Sequence, residues 1–193
     1  MRLAILDSGH DLGKKALLNL IRLLSRQPIN DILKLLMYRP DFFGNYLREM
    51  AQEALRGPSQ WSVGDRELMA TFVSKANECE FCTKAHAAVS ARAYEDDAKV
   101  SAALSDLETT AVDARLRATL HMVRKLTREH SVDVEDMRAL LGAGVSREQI
   151  EDALAVCLAF NTTDRLADAF GFFVPEPKAF EAGAKFLLRR GYR

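Results

Sequence analysis

Apolar side chains recur along this chain every three or four residues, and almost nowhere do they alternate with polar ones. Leu17, Leu18, Leu20, Ile21 and Leu24 keep helical spacing, and Ile32, Leu33, Leu35 and Leu36 resume it after a break at Pro28. Two short helices are expected there. Pro40 stands where a first helical turn tolerates it, and Phe42, Phe43, Tyr46, Leu47, Met50 and Ala54 carry a third helix to a stop at Gly57-Pro58. Ser62-Val63-Gly64-Asp65 has the form of a capping box, opening a helix from Glu67 to Lys75 that Asn77 or Glu78 is expected to break.

The second half is punctuated more clearly. Leu116, Leu120, Val123 and Leu126 form an amphipathic stripe, and Met137, Leu140 and Leu141 run into the stop Gly142-Ala143-Gly144. Ser146-Arg147-Glu148-Gln149 is a second capping box, opening a long apolar helix to Gly171. Pro175 and Pro177 precede a last segment, Ala179 to Arg190. The pattern predicts an all-α chain of about eight or nine helices, with no internal repeat or linker.

Composition narrows the setting. A chain of 193 residues, 48% of them apolar, can bury a core and sits within the range of one domain. Lys plus Arg equals Asp plus Glu at 27 each, so no basic field exists to attract nucleic acid or anionic lipid. The apolar start, Leu3-Ala4-Ile5-Leu6, is cut off by Asp7, too soon for a signal-peptide core, and no stretch approaches ~20 apolar residues. The expectation is a cytoplasmic protein that partners neither nucleic acid nor membrane. Three cysteines make no disulfide framework, and in a reducing compartment a C-x-x-C pair points to catalysis or metal binding.

That pair lies in Asn77-Glu78-Cys79-Glu80-Phe81-Cys82-Thr83-Lys84-Ala85-His86, with a histidine four residues after the second cysteine. On a helix the three side chains fall within ~60° of one another. They can supply a thiolate nucleophile, a thiol to close a disulfide and an imidazole to move protons. Leu68-Met69-Ala70-Thr71-Phe72-Val73 reads as helix, which disfavours a thioredoxin-type β-α setting. Zinc would use the same thiols with His86 as third ligand, but no second C-x-x-C or close histidine pair completes a structural site.

A cysteine with an ordinary pKa is mostly protonated at neutral pH, and the thiolate attacks. If the cysteines open a helix near Asn77, its positive end is expected to favour the thiolate. His86 can accept the proton when a carboxylate orients it, and Glu67, Glu78 and Glu80 are the candidates. On an unbroken helix Glu67 sits ~120° from Cys79, so its participation requires the break or a neighbouring helix.

Glu67, followed twelve positions later by Cys79-x-x-Cys82-x-x-x-His86, resembles the active-site pattern of the AhpD-like alkylhydroperoxidases, within the carboxymuconolactone decarboxylase superfamily. Arg66-Glu67-Leu68, Ala85-His86-Ala87-Ala88, Phe160-Asn161 and Arg165-Leu166-Ala167-Asp168-Ala169 resemble its peroxidase-related members. The resemblance spans residues 40–175 as the core of a single AhpD-like domain covering 1–193, with 1–39 a helical extension and 176–193 a C-terminal helix. It implies an AhpD-like helical bundle, a homo-oligomer (dimer, trimer or hexamer), that reduces organic hydroperoxides or hydrogen peroxide without a cofactor. A dithiol, lipoyl or thioredoxin-type reductant would restore it. Position by position, it implies Cys82 as peroxidatic thiol, Cys79 as resolving thiol, His86 as base and Glu67 as the outer member of the proton relay. The best-studied members have a second histidine between the cysteines; here Phe81 stands there, and we read it as lining an apolar approach for an alkyl peroxide.

Other residues have structural uses by default. Cys157, among Ile150, Leu154, Leu158 and Phe160, reads as a small buried hydrophobe, and His10, His121 and His130 carry no signal. Asn161, Asp164, Arg165 and Asp168 share helical spacing and read as an ion-pair network. Phe42, Phe43, Phe172 and Phe173 favour assembly over a monomer. Two alternatives stand: a decarboxylase-like proton-transfer enzyme using Glu67 and His86, and a non-catalytic zinc-binding or thiol-sensing helical protein.

Overall fold

The computed structural model describes residues 3–192. Among them are eleven α-helices: α1 (Ile5–Ser8), α2 (Leu12–Ser25), α3 (Asp31–Tyr38), α4 (Asn45–Arg56), α5 (Val63–Ala76), α6 (Glu80–Tyr94), α7 (Asp97–Ser105), α8 (Ala114–Glu129), α9 (Val134–Gly142), α10 (Arg147–Phe170) and α11 (Pro177–Arg190). The all-α class follows the hydrophobic pattern, but the helices outnumber the eight or nine expected. The two extra ones are α1, whose 4 residues are too few to show a stripe, and α7, whose Asp97-Ala98-Lys99-Val100-Ser101-Ala102-Ala103-Leu104 buries only Val100 and Ala103 and so shows little apolar contrast.

The helix expected to begin at Pro40 opens instead as a π-turn, Pro40–Gly44, before α4. There the chain passes so close to α3 that a side chain at Gly44 would sit 2.1 Å from the Leu36 carbonyl oxygen. Both capping boxes form: Ser62 with Asp65 opens α5, and Ser146 with Gln149 opens α10, which ends at Gly171 in the left-handed conformation.

Every residue of α5 from Arg66 to Ser74 is buried, which makes it the central helix of the bundle. Helices α4, α6, α8 and α10 pack on it, and α11 packs on the outer side of α6. The main core gathers Leu55, Leu68, Val73, Leu120, Val123 and Phe160, each contributing about 1.5–3 kcal/mol by full burial. A second apolar cluster holds Leu6, Leu35, Phe81, Ala167, Phe172 and Phe180 around Cys79 and Cys82. Segments at both ends of the chain thus wall in the cysteines.

The leucine stripe of α2 forms its helix but turns outward, with only Leu18 buried and Leu20 and Leu24 50% and 75% exposed. No described helix is long and apolar enough to cross a membrane.

One junction sets the position of the thiols. Asn77 ends α5, Glu78 takes the left-handed conformation at φ 61°, and Cys79 caps α6 from extended backbone. The Cys79 N–H bonds back to the Ser74 carbonyl at 3.0 Å, so the reversal occupies only a few residues. The Glu78 side chain is exposed, and its backbone conformation costs a non-glycine residue about 1–2 kcal/mol. Glu78→Gly is therefore expected to leave stability unchanged or raise it, while the β-branched Glu78→Val lowers it by about 1–2 kcal/mol. Urea unfolding midpoints of the three proteins check this.

Candidate active site

The reversal at Asn77 and Glu78 lays α6 back along α5 and brings Glu67 against His86. The Glu67 carboxylate, 0% exposed, accepts from His86 Nδ1 at 2.7 Å. A carboxylate only accepts, so Nδ1 carries the hydrogen of this bond. The other oxygen, Oε1, pairs with Arg56 at 2.7 Å and accepts from the Tyr192 hydroxyl at 2.9 Å. Arg56 also lies over the Tyr192 ring, 5.0 Å from its centroid. Burial opposes the charge on Glu67, yet His86 and Arg56 outweigh it and hold the carboxyl below its ordinary range.

Cys79 and Cys82 are 1% and 2% exposed, at the N-cap and in the first turn of α6. Asp164 of α10 meets them: both sulfurs and one of its carboxylate oxygens lie within 4.8 Å of one another. Asp164 is 0% exposed, and it accepts from Ser74 Oγ at 2.9 Å and from Asn77 Nδ2 at 2.9 Å. The neighbouring Cys79 thiol, burial and the Asp164 carboxylate push Cys82 well above the usual thiol range. This reverses the expectation of a thiolate favoured by the helix end, since a helix terminus supplies about 0.3–1 kcal/mol and cannot offset both burial and an adjacent anion. Burial likewise pushes Asp164 up, against the donors Asn77 and Ser74.

The four expected chemical residues thus occupy one buried region around the α5–α6 reversal. Phe81 packs edge-on against Phe172, with ring centroids 5.4 Å apart, and tilts against Phe180 at 5.7 Å. It forms an apolar wall beside the cysteines. Glu78 and Glu80 are exposed, and Glu80 pairs with Lys84. His86 gives its Nδ1 to Glu67, and the group around the thiols is completed by Asp164 instead, one donor fewer than a structural zinc takes. Cys157 is buried in the main core, its thiol pushed up to about 12 by burial.

Asp164 is not part of an ion-pair network; it belongs to the thiol site. Its sequence signal is its register, since Cys157, Phe160, Asp164 and Ala167 share the buried face of α10. An acid on a core face needs partners there. Arg56 and Tyr192 carry no such signal. Tyr192 lies beyond the last helix and arrives through Gly191, at φ 70°, with its N–H donated to Gln52 at 2.8 Å.

The chain thus combines a helical bundle, a buried C-x-x-C pair at a helix start and a carboxylate-held histidine one turn on. Residues 41–125 match the family model described as the carboxymuconolactone decarboxylase family. An uncharacterized peroxidase-related protein from Silicibacter sp. TM1040 shares the fold with a TM-score of 0.73 at 24% identity, over 91% of this chain and 90% of its own. An uncharacterized peroxidase-related protein from Ralstonia eutropha JMP134, described as an alkylhydroperoxidase AhpD core, does so with a TM-score of 0.75 at 21% identity, over 91% and 94%. No curated protein matches the chain. Similarity to that family thus covers residues 41–125, and the two solved structures share the fold over 91% of the chain.

Replacing Glu67 by glutamine leaves Arg56 buried without its anion, and the expected cost is about 3 kcal/mol at neutral pH. Because the folded carboxyl is held below its ordinary value, its contribution is complete above ~4.3 and is lost as pH falls through the folded pKa. The stability gap between wild type and Glu67→Gln is therefore expected to close in acid. Urea unfolding of both proteins at a series of pH values downward from neutrality measures it.

Proposed function

We propose that this protein is a cysteine-pair peroxidase, reducing organic hydroperoxides or hydrogen peroxide through a Cys79–Cys82 cycle served by Glu67 and His86. The observation that carries this reading is the thiol pair itself: two buried thiols with their sulfurs within 4.8 Å at the start of the helix that also carries His86. The names of both structural neighbours point the same way.

The chemistry follows from that proximity. The Cys82 sulfur attacks one peroxide oxygen, the O–O bond breaks, and an alcohol or water leaves while Cys82 becomes a sulfenic acid. Cys79, already adjacent, condenses with it, releasing water and closing a disulfide. A dithiol, of lipoyl or thioredoxin type, reopens the bridge. Phe81, Phe172 and Phe180 supply an apolar wall suited to an alkyl group. A surface hollow of about 650 Å³ lined in part by Leu126, Leu158 and Leu166 reaches Asn161, whose amide oxygen accepts from Asn77 of the thiol site. The outward leucines of α2 and exposed Phe42 and Phe173 support a homo-oligomer.

The family match also supports a proton-transfer enzyme that uses Glu67 and His86 and leaves the cysteines idle. Thiol counting separates the two. One equivalent of cumene hydroperoxide is expected to lower the free thiols of unfolded, alkylation-trapped protein from three to one, with Cys79 bonded to Cys82 in peptide maps. Cys82→Ser is expected to abolish peroxide turnover and Cys157→Ser to retain it. Three thiols remaining in the wild type would remove the peroxidase reading and favour proton transfer.

A further inference from the structure

The peroxidase reading leaves one buried acid at the thiols without a task. We infer that Asp164 is a catalytic residue of this site: its carboxylate takes the Cys82 proton as the sulfur attacks and returns that proton to the departing alkoxide. The inference rests on the proposed peroxidase cycle and supplies its proton path.

Geometry comes first. Asp164 is fully buried, and one of its carboxylate oxygens lies within 4.8 Å of both sulfurs. It is the carboxylate beside the reacting atom. His86, the base expected from the motif, is bound through Nδ1 to Glu67 and meets the Phe160 ring at 77°, with centroids 4.3 Å apart. Ser74 and Asn77 place one donor on each Asp164 oxygen and fix the carboxylate plane towards α6.

The two buried carboxylates differ in what holds them. Glu67 is paired with Arg56 and His86 and stays an anion. Asp164 is held by neutral donors, Ser74 and Asn77, so accepting a proton leaves no buried cation uncompensated. Burial raises its affinity for that proton. The groups facing it are Ser74 and Asn77 from α5, Cys79, Cys82 and His86 from α6, and Asn161 from its own helix through Asn77. Of these the cysteines and His86 titrate, with Glu67 behind His86.

The step balances. Cys82–SH and the Asp164 carboxylate become the sulfur nucleophile and Asp164–COOH while the S–O bond forms and the peroxide O–O bond breaks. Sulfur loses two electrons, the peroxide gains them, and the leaving alkoxide takes the Asp164 proton to depart as an alcohol. Asp164 is again a carboxylate when Cys79 attacks the sulfenic acid.

A passive carboxylate makes the opposite prediction. As a mere anionic neighbour, Asp164 suppresses the Cys82 thiolate, and its removal would speed oxidation. The experiment is stopped-flow measurement of Cys79–Cys82 disulfide formation with cumene hydroperoxide, across acid and neutral pH, in the full chain. Asp164→Asn is expected to slow it about 100-fold and to remove the acid limb of the pH profile. Ser74→Ala keeps the carboxylate but withdraws a donor from its anion, so the limb is expected to move to higher pH; this variant carries the test if Asp164→Asn does not fold. An equal or faster rate in Asp164→Asn, or an unmoved limb in Ser74→Ala, overturns the inference and leaves the peroxidase reading intact. A wild type that forms no disulfide overturns both.

Discussion

The Glu67 carboxylate is buried against Arg56 of α4, His86 of α6 and Tyr192 beyond α11, and it comes from the central helix α5. An unpaired anion in that position costs several kcal/mol, so these elements are obliged to meet around it. Their meeting decides which face α6 turns to α5, because His86 reaches Glu67 in only one rotation of the helix. That rotation directs Cys82, one turn earlier, towards α10. The position of the thiols is in this sense a consequence of where one charge is neutralised.

Two buried carboxylates then face the same helix with opposite environments. Glu67 has a guanidinium and an imidazole and is held ionised; Asp164 has hydroxyl and amide donors, and burial dominates. Separation of this kind lets a site keep one fixed charge for orientation and one group able to change its protonation. The helix end, expected from the sequence to activate Cys82, is the weaker influence. A terminus acts with a fraction of a charge, whereas Asp164 brings a full one into contact.

Much of this could be read from the chain. Both capping boxes, the stripe on α8, the break at Asn77 and the meeting of Glu67 with His86 are local or motif-borne, and local chemistry survives folding. What escapes the sequence depends on contacts far apart along it. Asp164 meets Ser74 across 90 residues and Tyr192 meets Glu67 across 125, distances over which periodicity is silent. The α2 stripe fails differently: its spacing specifies a helix, but spacing alone does not say whether the apolar face turns inward, and here it turns out. Helix α1 has too few turns to show any face, and α7 is rich in small residues that mark none.

Phe81 and Asp164 are best understood together. The side chain between the cysteines points into the cluster of Phe172 and Phe180, on the α11 side of α6, while Asp164 reaches the sulfurs from α10. A histidine in place of Phe81 would meet an apolar wall and find no acceptor among those rings, at the cost of a buried polar group without a partner. A titratable group inside the C-x-x-C would thus face away from the donors that Ser74 and Asn77 supply. Where α10 meets the end of α5, Ser74 and Asn77 supply hydrogen bonds that hold a carboxylate beside Cys82. The apolar residue in the motif and the acid outside it are two halves of one arrangement, in which one side of the thiol pair is dry and the other can hold a proton.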